Sequence, residues 1–250
     1  MSDFDFLSCF KKMLNERRPG FDIAGLITKD RKIYPFSTDT KVLSTIFEML
    51  IRPYVYEFAS RYGFQIFEPA QQNFYPDFTF MRDEKDKAKI ALDVKTTYRR
   101  FKQDGTWLAG FTLGSFASFM RNDTKNIAFP YSDYAGHYIM GFIYTRQKNI
   151  ANRIYTPDRI DAITPTYSAV EYFIQEKYKI AGDVPGSGNT ENIGSFSASS
   201  IEEFSAGRGP FSTLGKKIFE EYWRGYPRYR KKGKYKSLDE FLAIAHKEKK

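Results

Sequence analysis

Cysteine and histidine are almost absent from the 250 residues of this sequence. The single cysteine, Cys9, excludes an intrachain disulfide framework and a cysteine-rich zinc site, and it favours the cytoplasm. The two histidines, His137 and His246, lie far apart, which gives a histidine-rich metal site or a Ser-His-Asp triad little to build on. Several common classes of metalloprotein and hydrolase are therefore disfavoured.

Long apolar segments are also missing. No stretch approaches the ~18 apolar residues of a membrane span, and the N-terminus lacks a basic segment followed by an apolar run. We therefore expect a protein that is neither exported nor inserted in a membrane and that stays in the cytoplasm. Its 42% of hydrophobic residues can supply a real core, and its length fits one globular domain, 1–250.

Charge is the first positive signal. The chain contains 39 Lys and Arg against 30 Asp and Glu, a net charge of +9. This balance favours a polyanionic partner, and nucleic acid is the first candidate. Much of the excess lies in residues 228–250, with nine basic and three acidic side chains. A plain solvated tail is the alternative for that segment.

Helical and extended patterns interleave along the chain, which indicates an α/β fold. Residues 4–16 predict a short helix, and a long helix is predicted between a capping Asp39 and Gly63. The glycine- and serine-rich segment 182–200 is interpreted as a long irregular loop, which is functional or disordered in most compact domains. Strands are predicted within 21–36, 65–68, 138–144 and 170–173.

The segment from Tyr75 to Lys95 predicts a hairpin that carries acidic residues. Because strand side chains alternate between faces, the apolar residues of its second strand point one way, while Asp93 and Lys95 point the other. Antiparallel pairing brings Asp77, at the start of the first strand, near Asp93. Two clustered carboxylates repel unless a divalent cation lies between them, and Mg²⁺ prefers few carboxylates with waters and phosphate oxygens. The pattern is typical of phosphodiester hydrolysis.

The spacing of Pro76-Asp77 and Asp93-Val94-Lys95 resembles the PD-(D/E)XK nuclease signature. These short motifs are common, so alone they also fit a surface hairpin with solvated charges. Longer runs decide between the two, because from about residue 20 to about residue 228 the chain resembles the EcoRV family of type II restriction endonucleases. The runs that carry this resemblance lie at 39–48, 71–79, 93–98, 124–127 and 181–190.

The resemblance implies a PD-(D/E)XK core with a mixed β-sheet flanked by helices. It also implies that Asp77 and Asp93 bind Mg²⁺, with the Val94 carbonyl as a further ligand, and that Lys95 orients or activates the attacking water. Glu48 corresponds to an auxiliary acid of the catalytic and metal site. A solvent-facing helix glutamate is the plainer interpretation of Glu48.

Two DNA-reading loops are implied as well, 182–195 in the major groove and 69–74 at the minor groove. An ordinary turn is the alternative for the second loop. The residues that correspond to base-reading positions are Gly186, Ser187, Gly188, Asn189, Thr190 and Asn192, together with Gln71, Gln72 and Asn73. The residues that correspond to contacts with the DNA backbone are Thr40, Thr97, Tyr98, Thr112, Ser118, Lys125 and Arg228.

The implied function is that of a homodimeric, Mg²⁺-dependent type II site-specific deoxyribonuclease acting on double-stranded DNA. The loops imply the hexamer GATATC, cut bluntly to leave 5′-phosphate and 3′-hydroxyl ends. Dimer contacts map to about 20–36 and 144–165. The region 223–250 aligns poorly with the family, and DNA contacts there are predicted from its basic composition only. A cognate DNA methyltransferase is expected in the same cell without forming a stable complex.

One residue of the recognition loop departs from the family pattern. Glu191 stands where the family has a neutral threonine, and its carboxylate would repel phosphate or accept a hydrogen bond from a cytosine amino group. Two other functions stay open. A repair or structure-specific nuclease on the same core would cut without a palindromic site. A DNA-binding regulator would carry a vestigial metal site, although the intact Asp77, Asp93 and Lys95 count against it.

Overall fold

Helices and strands alternate through the parts of the chain that the computed structural model describes, residues 4–147, 153–186, 191–227 and 234–247. The helices are α1 (Phe6–Arg17), α2 (Thr40–Tyr62), α3 (Lys177–Ile180), α4 (Ile201–Ala206), α5 (Gly215–Gly225) and α6 (Leu238–Lys247). The first strands are β1 (Leu26–Ile27), β2 (Ile33–Tyr34), β3 (Gln65–Phe67), β4 (Phe78–Met81), β5 (Lys89–Tyr98) and β6 (Arg100–Phe101). The later strands are β7 (Trp107–Leu108), β8 (Thr112–Ser115), β9 (Tyr134–Arg146), β10 (Tyr167–Glu176), β11 (Ala181–Pro185) and β12 (Asn192–Ser195).

The central sheet has five strands in the order β10-β9-β5-β4-β3. Strands β5 and β9 run parallel, and the other neighbouring pairs are antiparallel. The predicted hairpin is the β4–β5 pair, in which Phe78 lies opposite Leu92. The sheet is therefore mixed, and it is flanked by helices as the sequence predicted.

The two faces of β5 belong to two different hydrophobic clusters. Ile90, Leu92 and Val94 pack in the cluster that contains α1 and α2, whereas Ala91 packs in the cluster that contains β8 and α5. Burying each of these isoleucine, leucine and valine side chains contributes about 1.5–3 kcal/mol, and a shift of the register by one residue would lose this burial. The alternation predicted for β5 is confirmed, and it leaves the polar side chains of β5 on the face of β8 and α5.

Both ends of α2 lie where the sequence predicts them. The Asp39 carboxylate accepts a hydrogen bond of 2.8 Å from the backbone N–H of Lys41, which caps the first turn. Gly63 ends the helix in the left-handed conformation, with φ of 70°. The helix packs its apolar side against β5, and it brings Glu48 toward the end of that strand.

The interpretation of 182–200 as irregular is wrong. Strands β11 and β12 pair with each other, and β12 pairs with β8 to complete a three-stranded sheet. Glycine at position 194 allows β11 and β12 to approach each other closely, since a Cβ there would lie 2.7 Å from the carbonyl oxygen of Val184. Ile193, the residue before it, is fully buried. The predicted DNA-reading loop 182–195 is therefore a hairpin with a tip at 186–191, of which 187–190 lie outside the described residues.

A small β unit stands apart from the central sheet. Strands β1 and β2 form a two-stranded antiparallel pair, as the sequence predicted for 21–36. Ile33 also bridges to Tyr155 and is buried with it. Leu26 and Ile27 are more than half exposed. Within the described ranges, no helix has the length and apolar character to cross a membrane.

Candidate active site

A cleft of about 230 Å³ opens beside the β4–β5 pair. Asp77 enters it from the residue before β4, and Asp93 and Lys95 enter it from β5. The opposite side comes from the loop before β4, from β8 with the turn that follows it, and from the start of β12. The remaining lining residues are Gln72, Asn73, Phe74, Tyr75, Gly114, Ser115, Ser118, Phe119, Asn126 and Asn192.

Short polar contacts hold the acidic pair and the lysine together. The Asp77 Oδ2 atom accepts a hydrogen bond of 2.6 Å from the backbone N–H of Val94, which ties the first carboxylate to β5 between the other two residues. The Lys95 ammonium lies 2.7 Å from Asp93 Oδ2 and donates to the Val94 carbonyl at 3.1 Å. Two carboxylates and an ammonium thus converge, as the hairpin pattern predicts.

The surroundings favour the protonated form of both Asp77 and Lys95. Burial and, to a lesser extent, the charge of Asp93 raise the pKa of Asp77 to about 8, although Lys95 and the Val94 N–H act in the opposite direction. Burial alone would lower the pKa of Lys95, but the charges of Asp93 and Asp77 outweigh it and raise that pKa. The lysine is therefore held in its charged form.

The donor set fits a hard divalent cation. The Asp93 side chain is only 4% exposed, and its Oδ2 atom, although paired with Lys95, has no hydrogen-bond donor. Among the described residues no group of three Asp, Glu, His or Cys side chains is placed to hold a metal. Mg²⁺ suits such a site, because it uses one or two carboxylates and fills its other positions with water and phosphate oxygens.

The family follows from comparison with known proteins. The sequence profile of the family described as restriction endonuclease EcoRV matches residues 17–246. The chain belongs to the EcoRV restriction endonuclease family. The type II restriction enzyme EcoRV of Escherichia coli is 40% identical over 232 residues, which cover 91% of this chain and 92% of that protein. The solved structure of the NlaIV restriction endonuclease shares 13% identity over 98% of this chain and 96% of its own, with a TM-score of 0.40.

Membership confirms the fold and the class of enzyme that the sequence suggested. The mixed sheet with flanking helices is the fold of a restriction endonuclease of the EcoRV family, and DNA cleavage is the activity of that family. The choice of metal and the roles of the individual site residues stay predictions.

The auxiliary acid Glu48 lies near the cleft without lining it. Its carboxylate contacts Arg52 at 3.3 Å, and Arg52 also contacts Glu68 at 2.8 Å. Burial raises the pKa of Glu48, and the charges of Lys95 and Asp93 reach it with smaller effects. The structure thus places Glu48 beside the acidic pair but ties it to Arg52, and its catalytic and metal-binding roles stay predictions.

Four of the predicted DNA-contacting residues line the same cleft as the acidic pair. Gln72 and Asn73 come from the loop before β4, Ser118 comes from the turn after β8, and Asn192 opens β12. Gln71 is exposed one residue earlier, where its carbonyl accepts the N–H of Phe74. The loop 69–74 and the base of the 186–191 tip therefore border the acids directly.

Other residues that are predicted to contact DNA have structural contacts within the protein. A Cβ on Gly186 would lie 2.9 Å from the Thr112 hydroxyl, so glycine permits β11 to approach β8 there. The Ser118 hydroxyl donates to the Lys125 carbonyl at 2.8 Å. Ser118 is 7% exposed, so this hydroxyl holds the loop that presents the exposed Lys125.

The remaining predicted contacts lie away from the acidic pair or outside the described residues. Tyr98, at the end of β5, lines a second cavity of about 530 Å³, where the Arg146 guanidinium lies 4.7 Å from its ring. Thr97 precedes it and is partly buried, and Thr40 is exposed at the start of α2. The predicted contacts outside the described residues are Ser187, Gly188, Asn189, Thr190 and Arg228.

Sequence reasoning missed one charged residue beside the cleft, Lys177. It is 1% exposed, and burial lowers its pKa to about 7, although Asp93 acts in the opposite direction. Lys177 follows β10 and lies more than 80 residues from the acidic pair in the sequence, so no local spacing connects them. The position of Lys177 near the cleft follows from the order of the strands in the central sheet, and the sequence does not give that order.

The pH dependence of stability tests the raised pKa of Asp77, which burial and the charge of Asp93 produce together. A folded pKa of about 8 against an ordinary 3.8 means that the protonated Asp77 stabilises the fold fully below about pH 4 and that this contribution is lost as the pH rises toward 8. In metal-free buffer, Asp77→Asn should therefore raise the Tm more near pH 9 than near pH 5. Thermal melts at both values measure the difference.

An exposed acid provides the matched control for this melt series. Asp123→Asn removes one carboxylate from the surface and should change the Tm by the same small amount at both pH values. Equal gains in Tm for Asp77→Asn at low and high pH would show that the fold does not raise the pKa of Asp77.

Proposed function

We propose that this protein is a Mg²⁺-dependent type II restriction endonuclease of a single domain, which hydrolyses both strands of double-stranded DNA at a short palindromic site. One observation carries the proposal: the hydrogen bond from Val94 N–H to Asp77 brings the Asp77 and Asp93 carboxylates into one cleft with Lys95. Family membership supports DNA as the substrate. We also infer that the enzyme acts in the cytoplasm, where a methyltransferase protects the host DNA.

The chemistry divides between the metal and the protein. Asp77, Asp93 and the Val94 carbonyl would hold Mg²⁺, which supplies Lewis-acid stabilisation of charge on the phosphoryl oxygens. Lys95 is fixed by Asp93 and the Val94 carbonyl, so its ammonium group has little freedom within the cleft. It orients the attacking water and stabilises the negative charge that develops on phosphorus-bound oxygens.

A dimer explains how one active site per chain cuts two strands. A two-fold protein dimer matches the symmetry of a palindromic duplex. Both sequence regions that predict dimer contacts expose apolar side chains, which supports them as the interface. Their exposed fractions are 60% for Leu26, 65% for Ile27, 42% for Tyr34, 53% for Ile154 and 48% for Ile160.

The placement of the two loops supports DNA reading from both grooves. Gln72 and Asn73 of loop 69–74 and Asn192, at the base of the 186–191 tip, line the same cleft as the acidic pair, so bases that they contact would lie close to the scissile phosphate. We propose GATATC as the site, cut bluntly to 5′-phosphate and 3′-hydroxyl ends. Selection of the central TA step would come from its flexibility, since a pyrimidine–purine step unstacks cheaply when the duplex bends. The Glu191 carbonyl accepts from Phe116 N–H and the Ser115 hydroxyl, which anchors the tip.

Sequencing the ends of a digested genome tests the specificity. The proposal expects one recurrent hexamer, GATATC, with blunt ends at its centre. Staggered ends, or ends centred on another hexamer, would overturn the specificity and leave the nuclease standing. Ends scattered without a common sequence would instead favour the repair or structure-specific nuclease.

The recognition tip yields a prediction about discrimination. Asn189→Ala should narrow the ratio of cleavage rates between the cognate site and one-base variants, because a good base contact is worth about 1–3 kcal/mol. Competition cleavage of the cognate duplex and several near-cognate duplexes measures that ratio. Asn15→Ala, an exposed asparagine on α1, is the control and should leave the ratio unchanged. Equal loss of activity on all duplexes would contradict a base-reading role for Asn189.

A further inference from the structure

Lys177 is a buried lysine whose side chain the proposed chemistry does not use. It opens α3, at the end of β10, and is 1% exposed. Its ammonium nitrogen is fully shielded from solvent and has no hydrogen-bond partner among the described residues. A buried ammonium with three unmatched N–H donors is costly, which is why burial lowers the pKa of Lys177, and an anionic partner that the protein alone does not supply would restore its charge.

The surroundings of the ammonium group point toward the catalytic cleft. The Lys177 nitrogen lies 4.6 Å from the ring centre of Tyr75 and 4.8 Å from that of Phe119, and these two rings stack on each other at 4.3 Å. Both rings line the cleft beside the acidic pair. The aromatic faces attract the cation but give it no acceptor atom.

A glycine separates the ammonium group from the cleft. Gly114 lines the cleft, and a Cβ built on it would lie 3.7 Å from the Lys177 nitrogen and 3.4 Å from Phe119. Its φ of 90° is a conformation that suits glycine. A side chain at position 114 would therefore lie against the ammonium group, on the side of the cleft.

The charge around the cleft leaves an anion as the fitting partner. Asp93 attracts Lys177 electrostatically, but its carboxylate is already paired with Lys95 at 2.7 Å. The ligand that a nuclease cleft is built to receive is a phosphodiester, whose oxygens accept strong hydrogen bonds from lysine.

We propose that Lys177 is a second phosphate-binding lysine of the cleft, which donates past Gly114 to a backbone phosphate oxygen of the bound DNA strand. The proposal rests on the proposed function as a DNA nuclease and adds a substrate-binding residue to it. Lys95 acts at the reacting phosphate, whereas Lys177 holds the strand from beneath the Tyr75 and Phe119 rings.

Replacement of Lys177 by methionine separates binding from folding. Methionine fills the same buried space beside the two rings without a charge, so Lys177→Met should have a Tm at or above that of the wild type. Its affinity for any DNA duplex, measured in EDTA, should fall roughly tenfold, because a charge-assisted hydrogen bond is lost. The slope of log affinity against log salt should become shallower by about one.

Steady-state kinetics with Mg²⁺ adds a second readout. Lys177→Met should raise KM more than it lowers kcat, because the lost contact belongs to the bound strand and not to the transition state alone. Lys177→Arg keeps the positive charge and should retain the wild-type salt slope. If the methionine variant does not fold, a folded arginine variant whose slope is shallower by about one overturns the proposal.

A second buried lysine provides the matched control. Lys89 is fully buried, and its ammonium donates to the carbonyls of Glu84 and Asp86 and lies 4.5 Å from the Phe129 ring. Lys89→Met removes these bonds, so it should lower the Tm and leave the salt slope unchanged. Lys177→Met is thus expected to change the salt slope without lowering the Tm, and Lys89→Met to lower the Tm without changing the slope.

The outcomes distinguish this inference from the proposed function. If the wild type cuts DNA with Mg²⁺ and folded Lys177→Met shows the wild-type salt slope and KM, the inference fails and the nuclease stands. If the wild type binds DNA and never cuts it with Mg²⁺, the proposed function fails, while a shallower slope for Lys177→Met would still support phosphate binding.

Discussion

Asp93→Asn will reduce the rate of DNA cleavage by at least about 10³-fold, because the metal contributes several kcal/mol of charge stabilisation in the transition state. Asparagine keeps the shape of the side chain but removes one of the two charges that hold the cation. The Asp93 side chain is 4% exposed and pairs with Lys95 at 2.7 Å inside the cleft, so the substitution removes a negative charge within the site itself. Single-turnover cleavage of a cognate duplex measures the loss.

A second measurement connects this loss to metal binding. The wild type should melt at a higher temperature when Mg²⁺ is added, and Asp93→Asn should lose that increase. Asp133→Asn is the matched control, since Asp133 is also buried but pairs with Lys87 at 2.9 Å. Its cleavage rate and its response to Mg²⁺ should stay near those of the wild type. An Asp93→Asn enzyme that cuts at the wild-type rate would remove Asp93 from the active site.

Lys95→Met will also reduce cleavage by about 10³-fold, the effect of removing a donor that stabilises transition-state charge. In contrast to the aspartate variant, it keeps both carboxylates, so the increase in Tm with Mg²⁺ should persist. DNA affinity in EDTA should change little, because the ammonium acts on charge that develops during the reaction. Cleavage rates, binding isotherms and melts on one preparation give all three quantities.

The exposed Lys87 is the control for this variant. Its side chain is 75% exposed and contacts Asp133, so Lys87→Met removes a positive charge outside the cleft. It should cleave DNA within a small factor of the wild-type rate. If Lys95→Met lost DNA binding together with cleavage, the role of Lys95 would be in binding the substrate and not in the chemical step.

Local signals were sufficient for the elements that carry the acids. The alternation along β5 separates Asp93 and Lys95 from the apolar residues, and the cap at Asp39 fixes the start of α2. Both signals lie within a few residues, where side-chain direction and hydrogen bonding depend on the local backbone. The hairpin then placed Asp77 beside them, as the hydrogen bond to Val94 shows.

Long-range packing determined the features that the sequence did not show. Glycine and serine in 182–200 suggested a loop, yet pairing with β8 and burial of Ile193 made strands of its flanks. Tertiary contacts outweigh local propensity in such strands. Lys177 lies beside the cleft only because β10 lies two strands from β5 in the sheet order. No spacing along the chain encodes that neighbour.

Cleavage of supercoiled plasmid by the purified protein, with and without Mg²⁺, tests the central claim most directly. The cleft joins Asp77, Asp93 and Lys95 in one place, so the wild type should convert the plasmid to discrete linear fragments with Mg²⁺ and leave it intact in EDTA. Asp93→Asn should leave it intact in both conditions. A wild type that binds the plasmid and leaves it supercoiled with Mg²⁺ would contradict the assignment and favour a DNA-binding regulator.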